Sequence, residues 1–313
     1  MKKLFLTLAL TLLLVPTLFA QDLETTTNLY NAGAVALNEG NKAEAIKNFE
    51  EAYEQAAMLG AEGMDIMENC KGIIPSIYMA IGKEFGEKRD ITNAVKNLET
   101  GLARAEEFGN TSVAQQIKAV FPPLFMQEGS TKLNEKDFTG AIENYKKVLE
   151  YNPSFAMAYL RMGMAASRIG DDALTISSYE KAIELGQKAT ASKQLATYYL
   201  KKSLPALKAK KFDTAIEFAQ KSASVLETPQ AFNICGKAAF SKKDYALAIS
   251  SFEKYIALSP NAKDKNQAFY QLGTAYESTG NKAKACSYYK QIMNDPSFKE
   301  FATHKVTQQL KCQ

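Results

Sequence analysis

The chain has 313 residues, of which 46% are hydrophobic and 23% charged, and its formal net charge is +4 at pH 7. That length allows a substantial core, and both signs of charge are scattered along the chain, so neither a polyanion-binding surface nor a nucleic-acid partner is expected. A single histidine, His304, and four cysteines without a C-x-x-C pair leave no metal site of the usual ligand spacing, and no cofactor is implied.

Residues 1–20 come first. Lys2 and Lys3 precede an apolar run from Leu4 to Val15, and Thr-Leu-Phe-Ala closes the stretch before Gln21. This order of charge, apolar run and small final residue predicts a secretory signal peptide over 1–20. The alternative is an uncleaved anchor, for which Leu4 to Ala20 is barely long enough and contains Pro16. No cysteine follows closely, so lipoprotein acylation is not expected. Cleavage would leave an exported chain, periplasmic or extracellular and without a membrane span; losing Lys2 and Lys3 takes the charge from +4 to +2.

From residue 21 to residue 296 a second pattern recurs. It is clearest at Phe125, Gly129, Ala141, Tyr145 and Pro153, and again thirty-four residues on at Tyr159, Met162, Gly163 and Tyr179. Later copies are Phe232, Cys235, Gly236, Ala239, Ala248, Phe252 and Pro260, then Phe269, Leu272, Gly273, Tyr276, Ala285 and Tyr289. A weaker copy runs through Tyr199, Ser203, Ala215 and Ala219, where Lys202 is out of pattern and Pro205 should kink or break the first helix. Two earlier copies fall at Gly33, Ala45, Phe49 and Ala52, and at Tyr78, Ile81, Gly82, Phe85, Ala94 and Leu98. Their wider spacing points to longer helices or an inserted turn in stretches such as Met58 to Lys71. Physically the pattern is one of packing: a large residue fills the gap between two antiparallel helices, small ones let the backbones approach, and proline stops the second helix.

At these residues the chain resembles the tetratricopeptide repeat family. The resemblance implies an all-α, right-handed α-α superhelical solenoid of about seven helical hairpins, with units near 26–59, 75–108, 122–155, 156–189, 196–228, 229–262 and 266–296. Beyond Pro296, residues 297–313 carry Phe298, Phe301, Val306 and Leu310 at helical spacing and are predicted to form a capping helix, which the last unit of a stack needs.

In the family, the first helices of the units line a concave groove. Carried onto this sequence, the groove positions of the central units are Met126, Leu133, Leu160, Met164, Leu200, Leu204 and Leu207, flanked by the more polar Tyr30, Lys83, Asn233, Lys237, Tyr270 and Thr274. So many adjacent Leu and Met side chains imply a cover, such as a peptide or amphipathic helix of a partner protein. The same residues can instead pack on one another as core. Some relatives clamp a peptide's terminal carboxylate with paired Lys and Asn; here Tyr30 and Ala34, Leu160 and Met164, and Tyr270 and Thr274 stand in those places, so that clamp is not expected.

Two cysteines have a positional argument. Cys286 occupies the place where other units carry Ile46, Ile142, Ile176, Ile216 and Ile249, a place that faces the next helix, and the predicted cap ends at Cys312. Straight helices turning at Pro296 would put Cys312 about 10 Å too far along, at roughly 1.5 Å per residue, so a bridge requires the tail to curl back. Cys70 and Cys235 read as small buried thiols.

No phosphate-cradling loop, nucleophile elbow or converging acid pair is present, so no catalytic residue is assigned and an enzyme is not expected. The resulting expectation is a non-catalytic interaction scaffold of the bacterial cell envelope. Its alternatives are a self-assembling structural protein, a homo-oligomer through its apolar wall, and a carrier of an apolar small molecule or lipid.

Overall fold

The computed structural model describes residues 15–312, with side chains from Asp22 onward. The predicted signal peptide therefore lies outside the described residues except for its last six, which begin the first helix. Among the described residues all regular structure is helical, and the chain divides into two compact units at Phe155 and Ala156.

The first unit holds α1 (Val15–Asn38), α2 (Lys42–Leu59), α3 (Met64–Glu87), α4 (Ile91–Glu107), α5 (Thr111–Asn134) and α6 (Phe138–Tyr151). They pack as three successive hairpins, α1 on α2, α3 on α4 and α5 on α6, each stacked on the next. The leading helices α1, α3 and α5 are 24 residues long, and a short 3-10 turn at Gly60–Gly63 joins α2 to α3. Longer helices and an inserted turn together account for the wide spacing of the early copies.

The second unit holds α7 (Ala156–Ile169), α8 (Asp172–Glu184), α9 (Lys188–Lys208), α10 (Phe212–Val225), α11 (Pro229–Lys242), α12 (Tyr245–Leu258), α13 (Lys265–Ser278), α14 (Lys282–Ile292) and α15 (Lys299–His304). The first eight pack as four hairpins in sequence, and α15 continues into a π-helical turn over Lys305–Gln309. Pro205 does not break α9, which runs on to Lys208. The residue lies in the last turn, so only three residues of the helix follow the bond it forfeits.

One contact builds each hairpin. A small residue of the first helix meets a large one sixteen positions later: Gly33 meets Phe49, Gly129 meets Tyr145, Gly163 meets Tyr179, Gly236 meets Phe252 and Gly273 meets Tyr289. A Cβ on Gly273 would sit 2.5 Å from the Tyr289 ring, and that ring is fully buried. Burying a side chain of this size contributes roughly 1.5 to 3 kcal/mol, provided the backbones can approach. In the α9–α10 hairpin the pair becomes Ser203 and Ala219, and the buried Ser203 hydroxyl donates to the Ala215 carbonyl at 2.7 Å. The second helices are capped in a regular way too. Asn41, Asp90, Asp137, Asp171, Asp244 and Asn281 each accept from the backbone N–H three residues on, which satisfies a donor the helix leaves open. Lys211, at the start of α10, has no such bond.

The tail beyond Pro296 is not one straight helix. Six residues of α15 give way to the π turn, and Leu310 and Cys312 donate their N–H groups back to Lys305 and Val306. Cys312 is thereby carried to α14, where it is bonded to Cys286 with the Cα atoms 5.7 Å apart. Ala302 and Val306 are buried, and Phe298, Phe301 and Leu310 pack on the core of the last hairpins. Beside them Lys305 pairs with Glu277 at 2.8 Å, both largely shielded.

Candidate partner-binding surface

The seven apolar positions expected to face a groove do not share one environment. Met126 and Leu133 are half-buried on α5 of the first unit. The other five belong to α7 and α9 of the second unit, where they divide again.

Leu160 follows the alternative in which these residues are core. It is 5% exposed, in a core cluster with Tyr179, Leu195, Tyr198 and Tyr199, so a partner cannot reach it. Met164, one turn on, packs partly on the same cluster. Tyr198 and Tyr199 put two rings in successive positions of α9, and that bulk fills the space beside Leu160 which the sequence pattern alone leaves open.

The α9 leucines behave otherwise. Leu200, Leu204 and Leu207 recur at the i, i+4, i+7 spacing of one helix face. Leu204 is 43% exposed, Leu200 is half-buried, and Leu207 lies partly against Ala206, Ala215 and Ala238. The face continues toward the start of the helix through Thr197 and Lys193, both exposed. Lys201 and Lys208, also exposed, lie slightly further round the helix, on one side of the leucines. On the opposite side of α9 the hydroxyl of Tyr198 donates to Asp172, which also accepts from Lys202 at 2.7 Å. The bonds from Lys202 and Tyr198 hold the Asp172 carboxyl below its ordinary range, while burial and that carboxylate push the Tyr198 hydroxyl up. This cluster fixes α9 against α8 and leaves the leucine face turned elsewhere.

Of the polar flanking positions Lys83 is exposed on α3, and the other five are engaged within the chain. Asn233 donates to Asp264 at 3.1 Å and Lys237 reaches the same carboxylate at 3.4 Å. Tyr270 stacks on Phe298 at 5.3 Å and meets Phe301 edge-on at 5.0 Å, so the tail covers it, and the Thr274 hydroxyl bonds the Tyr270 carbonyl. In the first unit Tyr30 packs edge-on against Phe49.

Sequence reasoning missed the charge that frames the α9 face. Between Leu185 and Phe212 there are seven lysines and no Asp or Glu, a run hidden by the near-balanced total. Counting charge helix by helix would have found it.

Other chemistry is sparse. Among the described residues no group of three or more His, Cys, Asp or Glu is placed to hold a metal, and no helix is long and apolar enough to cross a membrane. Cys70 and Cys235 are buried free thiols; burial, with Glu50 adding to it, pushes the Cys70 thiol up to about 12. His304 is exposed on α15. A cavity of about 160 Å³ lies between α10, α11 and α12, lined by Ala219, Ala223, Phe232, Cys235 and Leu247 among others. That is below the roughly 300–1,000 Å³ of common ligand pockets. Larger hollows, about 610 Å³ beside the disulfide and about 540 Å³ around Val35 and Ile73, are open at the surface.

Stacked helical hairpins with a partly open apolar face define a repeat scaffold. The particular repeat follows from the sequence match: tetratricopeptide repeat patterns fit residues 27–57, 126–196, 200–263 and 267–296, more than half of the chain, which belongs to that family. No curated protein matches it. Among solved structures it is similar to MamA, at 25% identity over 58% of this chain and 94% of that one, with a TM-score of 0.35. It is also similar to YrrB, a TPR protein with an unusual peptide-binding site, at 19% identity over 58% and 89% of the two chains and a TM-score of 0.33. A third is PilF of Pseudomonas aeruginosa, at 18% identity over 55% and 75%, with a TM-score of 0.29. TM-scores this low give these likenesses no weight for function.

Proposed function

We propose that the protein is a non-catalytic scaffold that holds a peptide or amphipathic helix of another protein. The observation that carries this reading is the face of α9 formed by Leu200, Leu204 and Leu207, which the fold covers only in part and leaves open at Leu204. Each leucine that a partner buries contributes roughly 1.5 to 3 kcal/mol before ordering costs, which puts micromolar affinity within reach. Family membership supports the same reading, because tetratricopeptide repeats typically serve as protein-binding modules rather than enzymes.

The scaffold works outside the cytoplasm, in the cell envelope or beyond. The pattern of residues 1–20 supports this, as does the pairing of Cys286 with Cys312, since such bonds persist in oxidising compartments.

The test is a photo-crosslinking amino acid placed at Leu204 and, as a control, at the exposed Ser224 of α10, in living cells. The scaffold reading expects a discrete adduct of another protein from position 204 and none from 224. An adduct at twice the chain's own mass would instead establish self-assembly, and no adduct at either position would overturn the reading.

A further inference from the structure

Resting on that scaffold reading, we propose that the α9 face selects an acidic partner: an amphipathic helix with leucine-like residues along one stripe and Glu or Asp beside them. Two independent features of α9 meet on this face. The first is the apolar line Leu200, Leu204, Leu207. The second is the acid-free run from Leu185 to Phe212, which holds seven lysines, five of them on α9, a helix with no Asp or Glu of its own.

Geometry assigns these lysines different tasks. Lys202 turns away and pairs with Asp172. Lys193 lies on the leucine line, a little under two turns before Leu200, and Lys201 and Lys208 border it on one side. All three are exposed, so their ammonium groups stand in water beside a strip of apolar surface. The arrangement suits a partner whose apolar residues cover the leucines while its carboxylates lie along the lysine border. A basic helix would be repelled there, and a neutral one would forgo the attraction. Like-charge juxtaposition is penalised at an interface, so the border acts mainly through exclusion and association rate. Screening by salt follows directly.

The basic run also has a cost that marks it as local. Neighbouring lysines repel along the helix, and α9 carries no i, i+4 acidic partner to relieve them, whereas Lys132, Lys181 and Lys221 all have one or more acidic partners within their own turns. An incoming acidic helix supplies the missing charges.

The experiment uses the full chain and three synthetic helical peptides with identical leucine stripes, flanked by Glu, by Gln or by Lys. Binding is read by fluorescence anisotropy at low and high salt. The proposal expects the Glu peptide to bind at least ten-fold more tightly than the Gln peptide, the Lys peptide not to bind, and the Glu preference to shrink in high salt. The K193E/K201E variant, which spares Lys208 at the favourable carboxyl end of the helix, should reverse the order of the Glu and Lys peptides. Circular dichroism confirms that the variant is folded. L204D should lose every peptide.

Equal binding of the Glu and Gln peptides, or an unchanged order in K193E/K201E, overturns the charge proposal and leaves the scaffold reading standing. Absence of binding by all three, together with no crosslink at position 204, removes both. Vesicles of phosphatidylglycerol form the last arm: binding to them with no peptide binding would assign the face to an anionic membrane and overturn the proposal.

Discussion

The α9–α10 and α13–α14 hairpins of the second unit follow one plan to different degrees. In α13–α14 the Gly273–Tyr289 pair closes the helices, Asn281 caps the second helix, Gly280 makes the left-handed turn at φ +81°, and the tail covers the outer face through Phe298 and Phe301. In α9–α10 each of these is replaced by something weaker. Ser203 and Ala219 stand for the Gly–aromatic pair, Lys211 for the cap, and Lys210 takes the left-handed turn at φ +57°, which costs a side chain about 1 to 2 kcal/mol. No terminal helix covers the α9 leucines. Of these two hairpins, the one less optimised for its own packing carries the less covered apolar face, and departures from a repeat's local rules concentrate where another task competes with stability.

The largest test of that contrast compares two leucines of neighbouring hairpins. Leu160→Asp places a carboxylate in the closed cluster of Tyr179 and Leu195 and should cost more than about 3 kcal/mol. Leu204→Asp on the open face should cost less than about 1 kcal/mol while abolishing partner capture. Thermal melts of the two variants read the difference, and equal losses would mean that the α9 face is core.

Next in size is the staple. Cys312→Ser opens a cross-link of sequence separation 26, for which chain entropy predicts about 3.5 kcal/mol. The loss should be confined to α13–α14 and the tail, leaving α9–α10 protection unchanged; limited proteolysis under native conditions locates it. Smallest is a repair. Lys211 has φ −84° and ψ 72°, close to the −80° and 76° of the capping Asp137. Lys211→Asp should therefore cap α10 and raise stability by about 1 kcal/mol in a urea titration. No gain would show that the missing cap is not what weakens this hairpin.

The hairpins were legible because their signal is local and repeated: Gly129 with Tyr145 and Gly273 with Tyr289 keep one spacing, and steric fit fixes both partners. The environment of Leu160 was not legible. A groove position is defined by its own helix, whereas burial there depends on Tyr198 and Tyr199 two helices on. The curled tail was only half legible, since apolar spacing marks Phe298 to Leu310 as helical but cannot tell an α-helix from the π turn that shortens it. The lysine border of α9 lay in plain view of the residue string and was masked by averaging over the whole chain.

Native-state hydrogen exchange, followed residue by residue on the free chain and again with the Glu-flanked peptide, addresses the trade between packing and exposure most directly. The account predicts that α9–α10 opens at lower free energy than α13–α14, and that the peptide raises protection on α9 alone. If α13–α14 opened first, or if protection rose anywhere but on α9, the α9 face would not be the working surface of this protein.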